Sequence, residues 1–177
     1  MEQKTEPLFS VMKVFAWIAF IGLSVETGSI LVSFVISLIV PVQDGQVLYR
    51  TIDLSELHLL SLKNYLSLSS LIVIIYGLKA YLAYLVIRIF DAQILTNPFQ
   101  EKVVQLISKL GNSALQTGIT AFVTNLYITQ FLERRFEIAI PINFEVTEFI
   151  FLAGIIFVLS KIFKKGVEIQ SENELTV

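Results

Sequence analysis

Two charged residues stand where charge is unfavourable. Lys79 lies near the middle of Tyr65–Phe90, YLSLSSLIVIIYGLKAYLAYLVIRIF, and Glu26 near the middle of another apolar stretch, Lys13–Val40. A helix rises ~1.5 Å per residue, so either stretch can cross a hydrocarbon core ~30 Å thick. A lysine at mid-depth is disfavoured by roughly 2.5–3.5 kcal/mol on insertion scales, and it needs a partner or a polar cavity. The simplest solution is that Glu26 and Lys79 meet. Such a pair can gate a small ion or proton pathway, which would make the chain a transporter or channel component. It can equally fix the register of two helices, in which case removing one partner costs several kcal/mol. One acid and one base in four short helices is thin for a transporter, which usually shows broken helices and repeats, so the register role is the plainer reading.

Small and polar residues gather around the pair. Glu26 shares a helical face with Gly22, Ser29, Ser33 and Ser37, and Lys79 has Tyr76 and Ala83 one turn to either side. Further on, Ser113, Gln116, Thr117, Thr120, Thr124 and Tyr127 form a second polar stripe, with Asn125 just off it. Small residues let helices approach, and hydroxyls can bond between them, so three polar faces are predicted to turn inward. Asp53, Glu56 and His58 are too loosely spaced for a metal site and read as a solvated loop. Without cysteine there is no disulfide, thiolate metal site or cysteine nucleophile, and no nucleophile motif surrounds any serine. No catalytic residue, metal or cofactor is expected, and the chain does not read as an enzyme.

These residues imply a particular set of elements. The 177-residue chain is 55% hydrophobic, and the apolar residues fall in blocks, which indicates membrane spans rather than one large core. Its net charge of −2 gives no overall basic surface for direct nucleic-acid contact. The expectation is a single all-α integral membrane domain over residues 1–177, with transmembrane helices at about 13–40, 65–90, 113–132 and 148–163. The first run is too long for a cleaved signal and is read as a retained span ended by Pro41. Thr96-Asn97-Pro98 reads as a helix start, and Val103, Leu106, Ile107 and Leu110 then make one apolar stripe. At about 13 residues, this amphipathic helix is too short to span and is expected to end or hinge at Gly111. The tail from Lys164 to Val177 is polar.

Lys4, Lys13, Arg88, Lys102, Lys109, Lys161, Lys164 and Lys165 would lie on one side, and Arg50, Lys63, Arg134 and Arg135 on the other. The more basic side is cytoplasmic, which places both termini and the amphipathic helix there. Both longer loops then face outward. Asp44-Gly45 signals a turn, Gln46–Leu54 alternates loosely, and Phe136–Val146 alternates strictly between apolar and other residues. The two loops are expected to pair into a small extracytoplasmic β-like cap, with Pro141 at an edge or break.

Two stretches look familiar. One is Asn97-Pro98-Phe99, followed by Val103, Leu106 and Gly111. The other is the terminus FKKGVEIQSENELTV, with Phe163, Gly166, Glu168, Ile169, Glu172, Asn173 and the closing Leu175-Thr176-Val177. Together they resemble an uncharacterised bacterial family, domain of unknown function twenty-nine seventy-five. Its members are small four-span membrane proteins ending in the type G-x-x-L-x-x-E-N-x-L-T-V, with Ile169 here in place of the usual leucine. The resemblance implies location in the bacterial cytoplasmic membrane and supplies no catalytic residues. Genes of the family often sit beside one for a small helix-turn-helix regulator, so it also implies a membrane-embedded regulatory or sensory partner of such a protein. The docking surface expected on that basis combines Asn97, Pro98 and Phe99 with Gly166, Glu168, Glu172, Leu175, Thr176 and Val177.

Overall fold

The computed structural model describes residues 5–39, 47–49, 52–91 and 98–174. Pro41, the Asp44-Gly45 turn, Asn97 and the closing Leu175-Thr176-Val177 lie outside the described residues. Helix α1 runs Thr5–Ile39, and a two-strand hairpin follows, β1 (Val47–Tyr49) antiparallel to β2 (Ile52–Asp53). Then come a short helix α2 (Ser55–Leu60) and the long helix α3 (Leu62–Asp91). Helix α4 (Glu101–Leu126) continues through one wider π-helical stretch, Tyr127–Leu132, into α5 (Glu133–Phe136). Helix α6 (Val146–Glu174) closes the described chain.

The long helices pack in chain order, α1 on α3, α3 on α4 and α4 on α6. Cross-helix contacts show each neighbour to be antiparallel. Near the start of α1, Lys13 pairs with Asp91 at 2.6 Å; near its end, Ser37 hydrogen-bonds Tyr65 at 2.6 Å. Tyr127 donates to Asn64 at 2.9 Å, which ties the end of α4 to the start of α3. Ser108 meets Ser160 at 2.6 Å, and Gly118 faces Phe149 and Ile150, so α4 and α6 also run in opposite directions. The beginnings of α1 and α4 and the ends of α3 and α6 therefore share one end of the helix row.

Leu8–Ile39, Leu62–Asp91 and Val146–Glu172 are each long and apolar enough to cross a membrane. On α1, Ile30 and Ser37 are buried, whereas Phe15, Ile18, Val25, Val32 and Ile36 are exposed. On α6, Phe151, Ile155, Val158 and Ile162 are exposed as well. Apolar faces this extensive do not suit water. Lipid is the solvent that matches them, because helices satisfy their own backbone groups.

Several expectations are corrected. The amphipathic segment and the third apolar segment are one uninterrupted helix, and it starts at Glu101, not at Pro98. Gly111 neither ends nor hinges it. A Cβ there would lie 3.1 Å from Ile156 and 3.3 Å from Phe157, so the glycine admits α6 at close range. The stripe Val103, Leu106 and Ile107 is buried against the other helices, on Leu82, Leu85, Ala153 and Ile156. The polar tail extends α6 as helix to Glu174.

Among the described residues the second loop forms no strand with the first, and both strands of the hairpin belong to the first loop. Its alternation nevertheless governs burial. Ile138, Ile140 and Phe144 are buried while Glu137, Ala139, Pro141, Asn143 and Glu145 are exposed. The inward residues join Ile52, Leu54, Leu57, Tyr65 and Leu68 in one apolar cluster. Side chains take the place of a partner strand: Glu133 accepts the Ile140 N–H at 3.1 Å, and Asn125 accepts the Phe144 N–H at 3.0 Å. The loop begins at Glu137, whose left-handed backbone (φ 56°) turns the chain out of α5.

Candidate functional site

Lys79 sits on α3 with its side chain only 19% exposed, and its partner is Glu145, not Glu26. Nζ donates to Glu145 Oε2 at 2.9 Å. The Tyr76 and Phe149 rings each lie 5.5 Å from the ammonium, giving a cation two aromatic faces besides its counter-ion. Glu145 immediately precedes α6, so the second loop delivers the acid to the middle of α3. The Lys79 hydrogen bond holds the Glu145 carboxyl below its ordinary range, against a smaller upward push from burial.

The Glu26–Lys79 pair is therefore not formed, and the transport reading built on it loses its central contact. Glu26 is half-buried on α1, and no hydrogen bond or ion pair engages it among the described residues. The physical reason is competition. A carboxylate at a loop–helix junction keeps more contact with water than one in mid-span, so holding it against Lys79 needs less desolvation.

The polar faces also behave differently from expectation. Ser29 donates to Val25 O at 2.8 Å, Thr117 to Ser113 O at 2.8 Å, Thr120 to Gln116 O at 2.8 Å and Thr124 to Thr120 O at 2.7 Å. These hydroxyls fold back on their own helix, where a carbonyl four residues earlier is always in reach. Among the described residues, hydroxyls do cross between helices at Ser37–Tyr65, Ser108–Ser160 and Tyr127–Asn64. Gly22 is exposed, and among the described residues a Cβ there would meet nothing within 4 Å and no helix presses on it. Ser33 is half-buried.

Asn125 does more than its place beside the stripe suggests. Its amide donates to Phe144 O at 2.9 Å and Asn143 Oδ1 at 2.8 Å, while its own oxygen takes the Phe144 N–H. One side chain thus holds both backbone groups of Phe144, and with them the approach to Glu145. Asp53 accepts from Ser55 N at 3.0 Å and Ser55 Oγ at 2.6 Å, bonds that lower its pKa and start α2. The His58 ring packs edge-on against Tyr65, with centroids 4.6 Å apart. Among the described residues, no three His, Cys, Asp or Glu side chains converge as a metal would require.

At the other end of the row, the two familiar stretches meet. A Cβ on Gly166 would run into the Phe99 ring, and Phe99 lies 5.9 Å from Phe163 between centroids. Beside them Glu101, Val104, Gln105, Lys164, Val167 and Glu168 line a groove of ≈ 400 Å³. Pro98 and Glu168 are half-buried and Glu172 is exposed. Lys165 donates to Glu168 at 3.2 Å.

Long apolar helices, lipid-facing side chains and a lysine satisfied within the helix row define an all-α integral membrane protein. Residues 55–177 match the family described as "Protein of unknown function (DUF2975)", and the chain belongs to that family. The match begins at α2 and leaves α1 outside it. No curated protein and no solved structure matches the chain.

Proposed function

We propose that this is a four-span protein of the bacterial cytoplasmic membrane that holds a small helix-turn-helix transcription regulator at the inner face. Helix α4 is the fourth span. It is less apolar than the others, but it lies between α3 and α6, and its threonines bond within the helix, which lowers the cost of a polar sequence in lipid. Four crossings put both termini on one side. Lys13, Arg88, Lys102, Lys164 and Lys165 mark that side as cytoplasmic, and the loop cluster of Leu54, Leu57, Ile138 and Ile140 caps the outer face.

The observation that supports the docking role is convergence. Phe99 and Gly166 belong to the two stretches that carry the family resemblance, and they come together at the cytoplasmic end beside a groove. Val104 and Val167 supply apolar anchors there, and Glu101 and Glu168 present carboxylates to basic groups of a DNA-binding partner, which at Glu168 would displace its exposed Lys165 contact. Val103, Leu106 and Ile107 contribute only to internal packing. Deleting Gly166–Val177 tests the reading when membrane abundance and retention of a family-type regulator are both measured. Normal abundance with lost retention supports it, and unchanged retention removes the tail from the mechanism.

A further inference from the structure

A second groove, of ≈ 480 Å³, opens beside the Lys79–Glu145 pair. That volume lies in the range of small-molecule sites, roughly 300–1,000 Å³. All four long helices contribute to it, α1 through Leu23 and α4 through Leu110. Helices α3 and α6 run in the same direction here, and both are graded the same way. Lys79 on α3 is followed one and two turns later by Ala83 and Val86; Glu145 and Glu148 at the start of α6 are followed by Leu152. Charge therefore collects at one end of the groove and hydrocarbon lines the rest.

The charges do not cancel. Lys79 and Glu145 neutralise each other at 2.9 Å. Glu148 also lines the groove and is exposed, and among the described residues no ion pair or hydrogen bond engages it. The polar end thus carries one unmatched negative charge.

We propose that this groove binds a single-chain cationic amphiphile, an alkylammonium or quaternary ammonium compound. Its head lies against Glu148 and its chain along Ala83, Val86 and Leu152. Ordinary lipid tails enter any lipid-facing trough, so selection by head charge is what distinguishes a site. An anionic head would face two carboxylates at Glu145 and Glu148. This inference does not depend on regulator docking, since the two grooves are built from different residues.

The test uses the full chain in nanodiscs of phosphatidylethanolamine and phosphatidylglycerol, with empty nanodiscs subtracted. Dodecyltrimethylammonium and dodecyl sulfate serve as cationic and anionic probes of equal chain length. The expected result is saturable binding of the cation, one per chain, without saturable binding of the anion. Glu148→Gln should weaken it about tenfold, the loss of one charge-assisted contact, and Ala83→Trp should abolish it by filling the trough. Glu148 is exposed, so its variant decides the matter even if Ala83→Trp does not fold. Equal binding of both probes, no binding above empty nanodiscs, or unchanged affinity in Glu148→Gln would each overturn the proposal.

Discussion

Lys79 and Glu145 are 66 residues apart in sequence and 2.9 Å apart in space. The contact fixes the loop after α5 to the middle of α3 and gives the intramembrane lysine its counter-ion, leaving Glu26 outside the pair. Removing the acid leaves a cation with two aromatic faces and no carboxylate. The Glu145 side chain is 56% exposed, so the loss is nearer ~1 kcal/mol than the several expected of a fully buried pair. Glu145→Gln should lower the thermal midpoint in detergent by a few degrees, Lys79→Met should recover part of it, and Glu26→Gln should add to either change independently. A double-mutant cycle measures this. Coupling between Glu26 and Lys79 in place of Glu145 and Lys79 would refute the assignment.

The same contact has a pH signature. Because the folded carboxyl is held below its ordinary range, the unfolded chain takes up the proton first as pH falls. The stabilisation is complete above the unfolded value, roughly pH 4.3, and disappears as pH drops through the lower folded value. The wild-type advantage over Glu145→Gln should stay constant from pH 8 to 6 and vanish in acid. Melting curves across that range check it, and an advantage that grows toward low pH would have the wrong sign.

Asn125 satisfies both backbone groups of Phe144, so Asn125→Ala should cost about 2 kcal/mol and release the loop. Hydrogen exchange at the Phe144 amide should rise more than exchange in α3. Asn125→Asp retains an acceptor for that amide but loses the donor, and it should fall between the two.

The glycines separate close packing from open surface. A Cβ on Gly118 would lie 2.9 Å from Ile150 Cγ1 and 3.3 Å from its backbone nitrogen, so Gly118→Ala should destabilise by ~1–3 kcal/mol. Gly22 and Gly77 meet nothing within 4 Å. Alanine there should be neutral or stabilise by up to ~1 kcal/mol through helix propensity. Equal losses at Gly118 and Gly22 would mean that another helix packs on α1.

The chain has no cysteine, so single-cysteine labelling reads orientation cleanly. Ala139→Cys should react with an impermeant thiol reagent in intact cells, and Ser171→Cys should react only after lysis. Reaction of both in intact cells would reverse the proposed placement of the C-terminal end.

Periodicity in the sequence is enough to locate α1, α3 and α6, though it divides α4 in two, and it gives the inward phase of the second loop, because burial follows hydrophobic alternation whether or not strands form. Ile138, Ile140 and Phe144 show this directly. The loop's partner was not legible. Alternation suggests a neighbouring strand, whereas the actual partners are Glu133 and Asn125, polar side chains on a helical segment with no periodic signature. Gly111 misled for a related reason. A glycine costs ~1 kcal/mol in a helix and reads as a stop, unless a neighbouring helix needs the space, which Ile156 and Phe157 do. Glu145 carries no local signal of its role, since it occupies an outward phase of its loop and nothing nearby in sequence links it to a lysine on α3. Phe99 and Gly166 stand out in the sequence only through family likeness, and their proximity depends on the antiparallel pairing of α4 and α6.

Equilibrium binding decides whether the groove beside Phe99 and Gly166 holds a regulator, as proposed. A purified helix-turn-helix regulator of the family-associated kind is titrated onto the wild-type protein in nanodiscs, and onto the Glu101→Lys/Glu168→Lys variant, with salt held constant. Both glutamates line the groove, and the double reversal changes its charge by four units without touching the Phe99–Gly166 contact. Saturable binding to the wild type is expected, with at least about tenfold weaker binding to the variant and equal thermal midpoints for the two proteins. Absence of binding to the wild type, or equal affinity for both, would contradict it.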